Sequence, residues 1–504
     1  MNIPLPPAAA TRVRYGVLGW FCSLSMITYI DRVCIMQVQD DIQRDLGIPA
    51  ERFWIVFSAF ALAYAAFEIP SGWLGDRFGP RKVLTRIVLC WLAFTALTGA
   101  VWSLASLVVV RALFGAGEAG AYPNIARGAK SWFPFAERGR AQGMIWSFGR
   151  WGGAIAPPLI IALAHPFERF DIMHGWRGAF LMLCVLGVFW VIGFHRFFRD
   201  SPAEHPRVND AEKALIDGPV YRDQRQEMLK EWPAADAAPP PGAVAAASDV
   251  VGVQGTNDVS APAKSSAPAL DAPPPLSWGA LLSSRTLWCL SIMYFCSNSG
   301  WSFFITYVTP YLKNDLQLHG WQLHLAAGAP LFFGGFGCML GGLLTDYLVP
   351  VLGRRWGRTG QGLVAYALGG GFFLTAVALT QSHPVWAFTA LCVASFLKDL
   401  AMGASWSTTI DIGHRYSGTV AGVMNTVGNL GTVVSPLLVT TLVTLATVVE
   451  PGATGGAAKW AVSLYYYAAM FFVAAFCWLF INPRRVIVYA PADRERLQTA
   501  GVLA

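Results

Sequence analysis

Gly72-Trp73-Leu74-Gly75-Asp76-Arg77-Phe78-Gly79-Pro80-Arg81-Lys82 decides the reading of this chain. It is a short charged stretch between two long apolar runs, residues 53–73 and 83–104. A weaker copy lies in the other half of the chain: Gly341-Gly342-Leu343-Leu344-Thr345-Asp346, then Gly353-Arg354-Arg355. One copy could be an ordinary charged turn. Two copies, each after an apolar run and each followed by arginines, mark a repeated connection between membrane helices. Gly72, Asp76, Arg77, Gly79 and Arg81 are the small and charged positions that recur in this pattern.

Composition agrees. Of 504 residues, 55% are hydrophobic and 13% charged, against roughly 25% charged in soluble proteins. The useful unit is then a span of about 20 apolar residues, not a soluble domain. The net charge of +7 does not point to nucleic acid, because the basic residues sit in short loops between apolar runs and act as orientation signals. Cys22, Cys34, Cys90, Cys184, Cys289, Cys296, Cys338, Cys392 and Cys477 all lie in apolar runs, with no C-x-x-C among them. They read as small hydrophobes, not as disulfides or metal ligands. The apolar run from Tyr15 is long enough to be a first helix and is not expected to be a cleaved signal.

Twelve spans are expected, near residues 15–36, 53–74, 83–104, 106–128, 142–164, 177–197, 287–311, 321–345, 361–381, 387–410, 419–446 and 460–481. In lipid the backbone must satisfy its own hydrogen bonds, so these are helices. The predicted fold is an all-α membrane protein of twelve transmembrane helices in two six-helix halves, 1–200 and 277–504. Arg12, Arg14, Arg77, Arg81, Lys82, Lys130, Arg138, Arg140, Arg354, Arg355, Arg358, Arg415, Arg484 and Arg485 fall on one side. The opposite loops carry few cations, chiefly Arg44, Arg52, Arg169 and Lys313. This bias places both termini in the cytoplasm of a multi-pass inner-membrane protein. Residues 201–276 separate the halves. A polar helix is expected over 209–230, and the remainder, rich in Ala, Pro and Ser, is expected to be a disordered linker.

Charge inside a span is costly, about 2.5–3.5 kcal/mol or more at the bilayer centre, and calls for a partner or a function. The first half holds Asp31 and Arg32 in span one, Glu68 in span two, Arg111 and Glu118 in span four, and Arg150 in span five. Asp31 and Arg111 are both displaced toward the outer side by similar depths, so an Asp31–Arg111 ion pair is expected. Glu118, seven residues after Arg111 and near the midplane, is the better candidate for a carboxyl that gains and loses a proton. Tyr64 and Glu68 share a face. In span ten, Lys398 and Asp399 precede Ser405 and Trp406 by seven residues each, which puts one charge and one potential ligand contact on each of two faces. For Asn425 in span eleven, helix–helix hydrogen bonding and substrate contact are both open.

At these residues the chain resembles the anion:cation symporters of the major facilitator superfamily, which include bacterial galactonate, hexuronate and glucarate carriers. Tyr29-Ile30-Asp31-Arg32 resembles that branch's span-one motif. The stretch from Arg111 to Pro123, with Glu118 inside it, resembles its span four, followed by Arg127 and Ser131-Trp132-Phe133-Pro134. Ser405-Trp406-Ser407 and Gly422-Val423-Met424-Asn425 resemble its contacts in spans ten and eleven. The resemblance covers nearly the whole chain outside the linker, and it implies that Gly72, Asp76, Arg77, Gly79 and Arg81, in the superfamily's signature loop, gate the conformational change. It implies proton-driven import of an organic anion, a sugar acid or related dicarboxylate, by two halves rocking around a midplane site. It implies proton exchange at Asp31 and Glu118 with Arg111 as partner, and a substrate carboxylate on Arg32. Tyr29, Tyr64, Arg150, Tyr294, Ser405, Trp406 and Asn425 would line the site. The chain departs from the pattern at Arg150, where glutamine is expected, and at Lys398 and Asp399. These extra cations favour a second carboxylate on the substrate.

No metal cluster, nucleophile motif or nucleotide loop suggests an enzyme, and no cofactor is expected. The expected partners are a small organic anion, protons and the lipid bilayer, with no nucleic acid and a monomeric chain. An efflux transporter of the same superfamily is the alternative. A transporter-like sensor is the more distant one.

Overall fold

The computed structural model describes residues 9–217, 276–314, 316–449, 456–484 and 487. Among the described residues there is no strand. The first half contains α1 (Val13–Gln37), α2 (Gln39–Leu46), α3 (Trp54–Phe78), α4 (Pro80–Thr98), α5 (Leu104–Glu118), α6 (Ala121–Trp132), α7 (Arg138–Arg169) and α8 (Gly175–Phe197). A short α9 (Asp210–Ile216) follows. The second half contains α10 (Trp278–Leu282), α11 (Arg285–Ser302), α12 (Val308–Asn314), α13 (Gly320–Leu379), α14 (Pro384–Leu400), α15 (Met402–Gly413), α16 (Ser417–Val449) and α17 (Gly456–Trp478).

These helices form because their apolar runs have nowhere else to satisfy the backbone in lipid. Their large apolar side chains point outward. Leu62, Phe189, Trp386 and Leu437 are more than half exposed, as suits a lipid-facing surface. Small and polar residues fill the seams, where close backbone approach and polar contacts hold membrane helices together.

Each expected span falls on a helical stretch, and four stretches are not simple. Span four is cut into α5 and α6 at Ala119–Gly120. Span seven passes through a π-helical turn, Phe303–Tyr307, between α11 and α12. Span ten is interrupted at Ala401, between α14 and α15. Spans eight and nine run together as α13, 60 residues long, with a left-handed break at Gly353 (φ 75°). At 1.5 Å per residue an unbroken helix of that length would be about 90 Å, some three bilayer cores, so the break at Gly353 turns it back. Among the described residues, seven helical stretches qualify by length and hydropathy as membrane-crossing. The arginine-bearing α4 and α7 are not among the seven.

The halves meet along two seams, α7 against α13 and α3 against α16. One end of the bundle, here the motif end, carries the α3–α4, α6–α7 and α15–α16 turns and the Gly353 break. The other is the far end. At the motif end Gly79 has φ 85°, which glycine adopts without cost. A Cβ there would lie 2.7 Å from Asp200 Cγ, and Asp200 accepts a hydrogen bond from Arg81 N at 2.7 Å.

The segment after α8 is folded as far as residue 217. Among the described residues the expected polar helix appears as α9, with Asn209 capping it by accepting from Glu212 N at 2.9 Å. Buried Glu212 then caps a second helix. It accepts from Thr11 Oγ1 (2.6 Å), Val13 N (3.1 Å), Arg14 N (3.1 Å) and Arg14 Nη1 (3.1 Å). The N-cap position of α1 is Arg12, which has no side-chain acceptor, so Glu212 satisfies donors that α1 leaves open. The rest of the expected helix and the Ala/Pro/Ser stretch lie outside the described residues.

Candidate functional site

The site forms where α1, α3 and α5 of one half approach α11, α14 and α16 of the other. α5 ends at Glu118 because Ala119 is extended (φ −55°, ψ 137°) and Gly120 is left-handed (φ 87°). A Cβ on Gly120 would collide with the Ser71 side chain. Asn124 Nδ2 donates to Gly120 O (2.7 Å) and Ser71 O (3.1 Å), which holds the break in place.

Glu118 faces Arg32. Arg32 Nη2 donates to Glu118 Oε1 at 2.5 Å. The Arg32 guanidinium lies over three rings, Tyr64 (4.8 Å), Phe60 (5.4 Å) and Tyr29 (5.8 Å). Its side chain is 24% exposed, while that of Glu118 is 1%, so the cation is the accessible member. Arg32 Nε and Glu118 Oε2 are buried without a partner, which leaves hydrogen-bonding capacity for another molecule.

The expected Asp31–Arg111 ion pair is not formed. Asp31 instead accepts from Thr95 Oγ1 at 2.7 Å and from Trp91 Nε1, both on α4. Arg111 packs against Phe60 (4.9 Å) and Phe114 (4.5 Å). Equal depth fixed their height but not their rotation, and α4 supplies the donors to Asp31. Glu68 accepts from Asn425 Nδ2 at 2.7 Å across the two halves. Asn425 is thus an inter-half hydrogen bonder.

A second cluster joins the halves. Arg150 donates from Nε to Asp399 Oδ2 (2.9 Å) and from Nη2 to Oδ1 (3.0 Å). Its Nη1 donates to Tyr29 OH at 2.6 Å. Lys398 Nζ donates to Asp399 Oδ1 at 2.7 Å. Trp301 underlies both cations, 3.9 Å from Arg150 Cζ and 4.8 Å from Lys398 Nζ. Lys398 and Asp399 lie on α14 and Ser405 and Trp406 on α15, on either side of Ala401. Ser405 is buried and donates to Ala401 O at 2.8 Å, on its own helix. Trp406 Nε1 donates to Tyr294 OH at 3.3 Å. Trp406 also packs at 5.0 Å on Trp146, which stacks on Tyr122 at 4.2 Å. These aromatics floor the site on its motif side.

Below that floor the motif end is sealed by two related clamps. Asp76 accepts from Gly418 N (2.9 Å), Thr419 N (2.7 Å) and Thr419 Oγ1 (2.8 Å), at the start of α16 in the opposite half. Asp346, from the second copy of the stretch, accepts from Gly139 N (2.8 Å) and Arg140 N (2.9 Å), at the start of α7. Each carboxylate sits on the positive end of a helix dipole. Asp411 adds bonds to Arg138 (2.9 Å) and Arg358 (2.5 Å), and Lys130 Nζ donates to His414 O. Gly72 faces Gly418, where a Cβ would lie 2.9 Å from the Gly418 carbonyl carbon. The other expected gate residues do different work. Arg77 lies on Trp73 (5.2 Å) and Phe78 (5.4 Å). Arg81 donates to His195 O at 2.6 Å and ties the loop to α8.

A family model described as Major Facilitator Superfamily matches residues 21–436. The chain belongs to this superfamily. Its fold agrees: a proton:xylose symporter superposes with a TM-score of 0.64 at 12% identity, covering 95% of this chain and 98% of that one. The human organic anion transporter MFSD10 gives 0.61 at 14% identity, covering 94% and 100%. Among curated relatives, a probable sulfoacetate transporter of Cupriavidus necator is 34% identical over 85% of this chain and 86% of its own length. A probable galactarate/D-glucarate transporter of Bacillus subtilis is 25% identical over 86% of each. A hexuronate transporter of the same organism is 23% identical over 82% and 84%. This major facilitator protein is a transporter, not an enzyme.

Several residues of the site are not evident from spacing: Trp91 and Thr95 at Asp31, Trp301 under the second cluster, and Asp411 in the clamp. Asp411 carried a usable signal, an acid at the end of an apolar run. A tryptophan or threonine inside a span carries none, since both are ordinary packing residues.

Proposed function

We propose that this chain imports a small organic anion together with protons across the cytoplasmic membrane, by alternating access. The observation that carries this reading is the Arg32–Glu118 pair, a partly exposed guanidinium held by a buried carboxylate. A proton added to Glu118 removes the charge that holds Arg32. The guanidinium can then take a substrate carboxylate bidentately. Relatives for sulfoacetate, galactarate/glucarate and hexuronate all carry organic anions by name, which supports this substrate class. If the arginine-rich motif end is cytoplasmic, its clamps close the inner side and leave Arg32 accessible from outside, as suits an importer awaiting substrate. Asp31, gripped by Trp91 and Thr95, is the second candidate proton site. Action as a monomer is part of this proposal, since every residue it invokes belongs to one chain.

Uptake into proteoliposomes tests the proposal. Wild type is expected to accumulate a panel anion, sulfoacetate or D-glucarate, when the lumen is made alkaline. Glu118→Gln mimics the protonated acid. It should keep counterflow exchange, which needs no net proton movement, and lose accumulation. Gradient-driven accumulation by Glu118→Gln equal to wild type would remove Glu118 from the coupling role.

A further inference from the structure

Arg150 and Lys398 share one carboxylate, Asp399. The other groups facing the three are Tyr29, Trp146, Trp301, Cys338 and Tyr366, none of them an acid. With all three ionised, the cluster carries a surplus of one positive charge. It is almost wholly buried, with Arg150 2% exposed and Lys398 and Asp399 at 0%. An uncompensated buried charge is unfavourable unless something neutralises it. Trp301 and the Tyr29 hydroxyl soften the surplus but do not cancel it.

We propose that Arg150 is a second anion-binding pole of the transport site, selecting short dianions: carboxylates that bear a second carboxylate or a sulfonate. The proposal rests on the reading of this chain as an organic-anion transporter. Tyr29 borders both poles: the guanidinium carbons of Arg32 and Arg150 lie 5.8 and 5.5 Å from the centre of its ring, so the two are at most about 11 Å apart. A dianion with its carboxylate on Arg32 can reach Arg150 with its second group. The second anionic group exchanges with Asp399 on the Arg150 fork, whose planar donors suit carboxylate and sulfonate oxygens. Asp399 is not orphaned by the exchange, since Lys398 keeps it at 2.7 Å. This gives Lys398 its place: it holds the acid that Arg150 releases. The exchange neutralises the cluster's surplus. It also opens the ion pair that ties α7 of one half to α14 of the other above the aromatic floor, so binding of the second group loosens the halves. A monoanion fills Arg32 alone and leaves Arg150 on Asp399.

Arg150→Gln leaves a neutral Lys398–Asp399 pair, so the variant is expected to fold. Binding of sulfoacetate, D-glucarate and D-gluconate to full-length protein in nanodiscs, by calorimetry, reads the selectivity. Wild type should bind the dianions at least about tenfold tighter than gluconate, the worth of one charge-assisted contact. Arg150→Gln should lose that preference while its gluconate affinity changes less than about threefold. Asp399→Asn removes the competitor for Arg150 and should keep or sharpen the preference for dianions. Equal wild-type affinity for glucarate and gluconate would overturn the proposal. So would a preference unchanged in Arg150→Gln, or one lost in Asp399→Asn. Gluconate binding as tight as glucarate leaves the organic-anion reading standing, whereas wild type that binds none of the three anions, and transports none, counts against that reading itself.

Discussion

Asp76→Asn should shift the transporter toward the conformation in which the motif end is open. The Asp76 carboxylate takes three hydrogen bonds from the first residues of α16, at 2.9, 2.7 and 2.8 Å, and faces Arg127 at 3.5 Å. A charged acceptor contributes roughly 1.5–3 kcal/mol per bond, and a carboxylate on a helix N-terminus about 0.3–1 kcal/mol more. Asparagine keeps the shape but has one acceptor oxygen and no charge. It should forfeit at least one charged bond and the dipole contribution, together about 3 kcal/mol after allowing for the bonds the amide retains. That shift changes the ratio of closed to open conformers by on the order of 100-fold. Asp346 and Asp411 remain, so the protein should still fold and the clamp should weaken without disappearing. Spin labels at Lys82→Cys and Arg355→Cys, in a background freed of native cysteines, place one probe on each half at the motif end. The distance distribution should broaden and lengthen in Asp76→Asn. A distribution identical to that of the parent, in folded protein, would refute the claim that this carboxylate helps hold the halves together.

Arg32→Ala should abolish anion binding, at least about 100-fold in affinity, because a buried substrate carboxylate loses its counter-ion; calorimetry on folded protein checks it. Glu212→Gln should lower thermal stability by about 1–3 kcal/mol, since it weakens the cap on α1. Burial alone would raise the Glu212 carboxyl, but its bonds from Thr11, Arg14 and Val13 outweigh that and hold it below the usual range. Its stabilising effect is therefore present above about pH 4.3, the ordinary glutamate value, and is lost as pH falls through the lowered one. Melting curves should show wild type losing this advantage over Glu212→Gln only in acid. Deleting residues 235–272 should leave uptake near wild type, because that Ala/Pro/Ser composition cannot bury a core; a large loss at normal membrane expression would reveal a functional element there.

The sequence by itself determined the major facilitator architecture, the two related loops, and the apolar run on which each charge lies. Apolar run length, loop charge and the paired motifs are all one-dimensional quantities, so they are legible in a string. It also brought Arg32, Glu118 and Tyr64 to one site through their resemblance to a known branch. What only the tertiary structure decided is which charge meets which. Asp31 found Trp91 and Thr95 instead of Arg111, and Arg150 crossed to Asp399. Depth along a span says nothing of rotation, and one residue turns a helix by about 100°. Phase is also lost where a helix breaks, as at Gly120, so a spacing rule does not carry across that point. The contacts between halves are further removed from sequence. Asp76 with Thr419, Asp346 with Gly139 and Glu68 with Asn425 join residues that are separated by hundreds of positions, and they meet only because the two halves pack face to face.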